Sequence, residues 1–188
     1  MNRVPIILLV FVLPIVISGC ISSPPSTQTI SQHASTTPTS HQSTTITEDW
    51  LEGLDKSKFH FYIYGLDTCP HCQRMKELLP EYFGEGSLTF YEVRKSEKNF
   101  EIYQNFSKMI GVTGVPLIGV FYSGKLYAII EGEIDPKVIP KIVKTAMEHN
   151  SVILILSSGQ YILPLNNTKA ESAVTNMTKW FLMGQPEP

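Results

Sequence analysis

Cys69-Pro70-His71-Cys72 holds two thiols two residues apart, and no other residues of this chain are as well suited to chemistry. A pair spaced in this way can exchange disulfides, close a short structural disulfide, or supply half of a metal site. Zinc needs four ligands, the chain has only 3 Cys, and no second pair exists. His71 lies between the thiols and cannot easily join them on one metal. The uncharged aromatic run Phe59 to Gly65 reads as a strand, and Cys69 to Phe83 reads as the helix that follows. Cys69 then opens a helix. A thiolate there faces unpaired backbone N–H groups and the positive end of the helix dipole, which lowers its pKa. His71 adds a donor and, when protonated, a charge. Cys69 is therefore the expected nucleophile and Cys72, one turn further in, the expected resolving thiol. Thiol exchange is the preferred reading of the motif.

The elements that must position this pair follow from periodicity and punctuation. Met75, Leu78, Leu79 and Phe83 share one helical face, and Pro80 is expected to kink that helix. Ser87 to Val93 reads as a second strand. Asn99 to Ile110 reads as a helix with Tyr103, Phe106 and Ile110 inward and Gly111 closing it. Leu117 to Tyr122 and Leu126 to Glu131 read as strands joined by a hairpin at Ser123-Gly124-Lys125. Pro136 opens a helix to His149, with Val138, Ile139, Ile142, Val143 and Met147 at helical spacing. Thr47 is a candidate cap for a short opening helix over 47–57.

A strand, a CxxC and a helix, followed by Gly111-Val112-Thr113-Gly114-Val115-Pro116-Leu117 before a hairpin and helix, resemble the thioredoxin superfamily. The resemblance covers roughly residues 58 to 148, with the domain set at 48–150. It implies a thioredoxin-like α/β fold, a central mixed sheet flanked by helices. It also implies a cis bond at Pro116, which lies against the dithiol, and backbone groups near Val115 that pair with a substrate strand. Cis bonds are tolerable only before proline. The implied redox disulfide is Cys69–Cys72, and neither cofactor nor metal is expected. Cys-Pro-His-Cys, with Pro70 and His71 between the thiols, resembles the disulfide-oxidant branch, as does Val115 before the proline. The stretch from Cys72 to Val115 is too short for that branch's helical insertion and gives a glutaredoxin-sized outline. Where thioredoxins carry a buried acid, this chain has Ile63. Asp67 reads as a loop residue.

The amino terminus bears on location. Arg3 precedes the apolar run from Val4, which is short for a span and contains Pro5 and Pro14, so residues 1–20 read as a secretory signal. Ile17-Ser18-Gly19-Cys20 resembles the lipobox of secreted lipoproteins, in which the cysteine is lipidated; an uncleaved signal anchor is the other reading. Residues 21–47 are rich in Ser and Thr with no charged side chain, the composition of a flexible tether. Both readings place the rest outside the cell, at the outer face of the membrane.

Residues 151–188 form an expected hairpin–helix extension. Val152 to Leu156 and Tyr161 to Leu165 flank Ser157-Ser158-Gly159, and Thr168 and Glu171 have capping-box spacing. Ala173, Val174, Met177, Trp180 and Phe181 form an apolar stripe expected to pack on the domain. Asn105, Asn166 and Asn176 begin Asn-x-Ser/Thr triplets. A net charge of -2 supplies no basic excess for nucleic acid. Together these readings predict a membrane-anchored thiol–disulfide oxidoreductase acting on exported proteins, with oxidation or isomerisation favoured. A membrane redox partner fits the same reading. The alternatives are an extracytoplasmic reductant and a binding module that does not turn over.

Overall fold

A computed structural model of the chain describes residues 53–186. The expected signal segment with Cys20, the expected tether, and the expected Thr47 cap with the first part of its helix lie outside the described residues. The described part of that helix is a single 3-10 turn, Lys56–Lys58, capped by the Asp55 side chain.

Ten elements follow. They are β1 (Phe59–Gly65), α1 (Pro70–Phe83), β2 (Leu88–Glu92), α2 (Glu97–Ile110), β3 (Leu117–Tyr122) and β4 (Lys125–Glu131), then α3 (Ile139–Glu148), β5 (Ser151–Leu156), β6 (Gly159–Pro164) and α4 (Thr168–Met183). The six strands make one open mixed sheet in the order β2-β1-β3-β4-β5-β6. The β1–β2 and β4–β5 pairs are parallel and the other three are antiparallel. This is an α/β sheet flanked by helices, compatible with a thioredoxin-like fold, and the C-terminal hairpin extends the same sheet.

Strand alternation splits the core into two layers. Phe59, Phe61 and Ile63 of β1 pack with Met75, Leu79 and Phe83 of α1 and Ile139 and Val143 of α3. Tyr64 faces the other way, onto Phe106 of α2 and Val174, Met177 and Phe181 of α4. The central strand β3 is covered on both faces, so Leu117, Ile118, Val120 and Phe121 are all buried. Phe181 lies flat on β3, where a Cβ at Gly119 would come within 2.9 Å of its ring. The Tyr91 hydroxyl donates to the Phe181 carbonyl at 2.9 Å. The apolar stripe of α4 is thus part of the core.

Local punctuation explains most boundaries. Gly111 ends α2 in the left-handed region at φ 74°, its N–H returning to the Ser107 carbonyl. Ser123 and Gly124 both take positive φ, which matches the twist of a two-residue β3–β4 turn. Three details differ from expectation. The helix assigned from Pro136 opens as a 3-10 turn, Pro136–Val138, capped by Asp135, and becomes α-helical only at Ile139. That tighter winding leaves Val138 exposed rather than inward. The α4 cap is Asn167, whose Oδ1 accepts from the Lys169 and Ala170 N–H groups, so Thr168 is the first helical residue and not the cap. On α2 the buried residues are Asn99, Ile102 and Phe106, while Tyr103 and Ile110 are half-buried. α1 continues through Pro80 to Phe83.

Candidate active site

Cys69 is the N-cap of α1 and Pro70 is its first helical residue, where a missing N–H removes no helical bond. The Cys69 Sγ accepts from the Cys72 N–H at 3.4 Å, one of the donors a helix start leaves unsatisfied. Cys69 is partly exposed, Cys72 is fully buried, and both are free thiols in this structure. Burial raises the Cys72 thiol to about 12, although the Leu66 backbone bond and the Lys76 charge pull the other way. Space for the buried sulfur comes from Gly65, because a Cβ there would lie 3.0 Å from Cys72 Sγ and 2.7 Å from Phe90 Cε2.

The loop before β3 meets this helix start. The Val115–Pro116 peptide bond is cis. The Cys69 thiol points to the Val115 carbonyl oxygen at 3.8 Å, a long and weak sulfur contact. The CxxC segment and the Val115–Pro116 segment thus lie together.

His71 is exposed, and its ring Nδ1 engages Glu133 Oε2 at 2.8 Å. Arg74, one turn on, donates to Glu133 Oε1 at 3.0 Å. The His71 hydrogen bond, followed by the Arg74 bond and the two charges, holds the Glu133 carboxyl below its usual range. The imidazole is therefore oriented by a carboxylate from the segment after β4. Asp67 is a loop residue, held ionised chiefly by Lys95 at 2.6 Å and also by Lys76 at 3.4 Å. Ile63 is buried in the apolar α1 layer, so β1 offers no acid beneath Cys72.

Two carboxylates were not singled out in the sequence. Glu133 sits outside any regular element. Glu131 ends β4, and its carboxylate accepts from the Thr113 N–H at 2.7 Å, the Thr113 hydroxyl at 3.1 Å and the Gly114 N–H at 2.5 Å. Its other oxygen accepts from the Ser157 N–H and hydroxyl, each at 2.8 Å. Burial opposes its ionisation, but these donors outweigh it and hold the group near 2. Strand-end acids are common, and only the approach of two distant segments, at Thr113–Gly114 and at Ser157, marks this one. Among the described residues no group of three or more His, Cys, Asp or Glu side chains is placed to hold a metal ion.

The chain matches no protein-family model. It matches no curated protein either.

Proposed function

We propose that the chain is a thiol–disulfide oxidoreductase, tethered to the outer face of a membrane, that exchanges disulfides with exported proteins through Cys69 and Cys72. One observation carries the reading: a partly exposed sulfur at a helix start, beside the Val115 carbonyl, with a second thiol buried one turn behind it. The Cys69 thiolate attacks one sulfur of a substrate disulfide. A mixed disulfide forms, and the substrate's other sulfur leaves as a thiolate and takes a proton. Cys72 then loses its proton and attacks Cys69 Sγ. The Cys69–Cys72 disulfide forms, the substrate departs as a dithiol, and two electrons have passed from enzyme to substrate. Run in reverse, the same steps oxidise a substrate dithiol.

Oxidation or isomerisation is the proposed direction, on the resemblance of Cys-Pro-His-Cys to the oxidant branch. A reductant is the second reading, because Glu133 opposes the charge His71 would offer an anionic sulfur. The potential of the pair against glutathione separates them: near about −120 mV it acts as an oxidant, near about −270 mV as a reductant. Trapping tests the chemistry itself. Cys72→Ser should accumulate a mixed disulfide with a cysteine-containing peptide, and Cys69→Ser should accumulate little. Capture by Cys72 instead would reverse the roles, and capture by neither would remove the activity. For the anchor, the mass of membrane-extracted protein should correspond to a chain beginning at a lipidated Cys20; an intact Met1 would leave a signal anchor.

A further inference from the structure

We propose that Glu131 is a positioning residue for the exchange site, its carboxylate fixing the loop that presents the Val115 carbonyl to Cys69 and to a substrate strand. The inference rests on the oxidoreductase reading and assigns work to a residue outside the CxxC motif.

The loop has few other supports. Val112 and Pro116 are buried, but Thr113 is exposed and Gly114 and Val115 are only half-buried. Core packing therefore holds both ends of this segment and leaves its middle to hydrogen bonds. Glu131 Oε1 takes the N–H groups of Thr113 and Gly114, and the Tyr103 hydroxyl donates to the Gly114 carbonyl at 2.9 Å from the opposite side. Val115, the next residue, carries the oxygen 3.8 Å from Cys69 Sγ. The loop also walls a recess of about 210 Å³ lined by Leu66, Val93, Phe100 and Tyr103.

Glu131 is itself anchored at both ends. Its backbone pairs with Leu117 across the β3–β4 ladder, and the next N–H, of Gly132, donates to the Pro116 carbonyl at 2.7 Å. Its second oxygen is held by Ser157 in the β5–β6 turn. The carboxylate therefore ties the C-terminal hairpin to the active-site loop. Each of its oxygens faces backbone N–H donors. An amide cannot replace it in either orientation, because its NH₂ would point at a donor.

The test uses full-length protein with Cys20→Ser and Cys72→Ser, so that Cys69 is the one thiol left, with and without Glu131→Gln. Two rates are compared well below the unfolding temperature. The first is mixed-disulfide formation with an extended peptide disulfide, which must dock on the loop. The second is alkylation by iodoacetamide, which needs only a reactive Cys69. Misplaced docking groups cost up to about a hundredfold, so Glu131→Gln should slow peptide exchange by roughly tenfold or more. Alkylation should change by less than about twofold. Peptide exchange at the unmodified rate, or both rates falling in parallel as for a general loosening, overturns the role. If Glu131→Gln does not fold, Ser157→Ala carries the same comparison, removing the hydroxyl's bonds to Glu131 Oε2 and to the Thr113 hydroxyl and leaving those from the Thr113 and Gly114 N–H groups to Glu131. Peptide exchange should then fall about threefold with alkylation steady, and an unchanged exchange rate counts against the role. A Cys72→Ser protein with native Glu131 that forms no mixed disulfide at all rejects the oxidoreductase reading and this role with it. Native exchange with an unaffected variant rejects this role alone.

Discussion

The Cys69 sulfur lies 3.8 Å from the Val115 carbonyl oxygen, although 46 positions separate the two residues in the chain. The sheet register explains the meeting. Tyr64 pairs with Leu117, so the exit of β1 and the entry of β3 are side by side. The loop after β1 leads to Cys69, and the loop before β3 ends at Val115–Pro116. Both therefore emerge at the same end of the paired strands β1 and β3.

Gly65 sets the depth of Cys72 in this arrangement. It is not a turn glycine; a side chain there would contact Phe90 and the Cys72 sulfur. The Phe90 ring is the movable partner, since it is half-buried at the edge strand β2. Gly65→Ala should accordingly cost about 1–2 kcal/mol, the lower part of the range for overpacking. It should also push the Cys72 sulfur outward. Urea unfolding and native-state alkylation of Cys72 in a Cys69→Ser background check both effects. Unchanged stability with an unreactive Cys72 would mean that the sulfur's depth is set elsewhere.

In the proposed exchange reaction, Glu133 acts on the charge near Cys69 through His71 and Arg74. Glu133→Gln removes a negative charge from beside the imidazole and leaves Arg74 without its carboxylate partner. Both changes favour an anionic sulfur and hence the reduced state. The potential should move to a less negative value. The shift should be small, on the order of ten millivolts, because these side chains reach solvent and salt screens them. Glutathione equilibration at low and high salt measures it, with the larger shift at low salt. A move towards more negative potential would show that the carboxylate acts other than through its charge.

The strands, most helices and the CxxC were legible because each rests on local information. Phe59 to Tyr64 is aromatic and β-branched throughout, and Gly111 is a direct helix stop. The cap of α4 was misplaced by one residue because Asn167 and Thr168 are both good caps, and sequence spacing does not choose between neighbours. Val138 was misread because helical spacing was extended over a turn that winds as a 3-10 helix. Glu131 and Glu133 were invisible for a different reason. Their partners are Thr113, Gly114 and Ser157 in one case and His71 and Arg74 in the other, all brought together by tertiary structure. No local pattern marks an acid whose role is to receive donors from distant segments.

The Cys72 proton links the stability of the fold to pH. Burial raises this thiol from its ordinary 9.0 to about 12. An unfolded chain loses that proton first as pH rises, so above pH ~9 the folded state binds more protons than the unfolded one. Stability then declines with pH, at up to about 1.4 kcal/mol per unit. The contribution is fully present below pH ~9 and is lost progressively up to the folded value. Tyr64, Tyr91 and Tyr103 are also raised by burial and add a similar decline, so the bare pH profile is not diagnostic. Comparison with Cys72→Ser removes the thiol together with its smaller effects on Cys69 and Tyr103, while Tyr64 and Tyr91 are common to both proteins. Between pH ~8 and ~10 the reduced wild type should lose about 1 kcal/mol relative to Cys72→Ser in urea unfolding. Parallel profiles would mean that the buried sulfur keeps an ordinary proton affinity. The same proton governs release of substrate in the proposed mechanism, because only a deprotonated Cys72 attacks Cys69. Resolution of the mixed disulfide should then accelerate about tenfold per pH unit while the thiol remains mostly protonated. A resolution rate independent of pH would place the proton on another group before the attack.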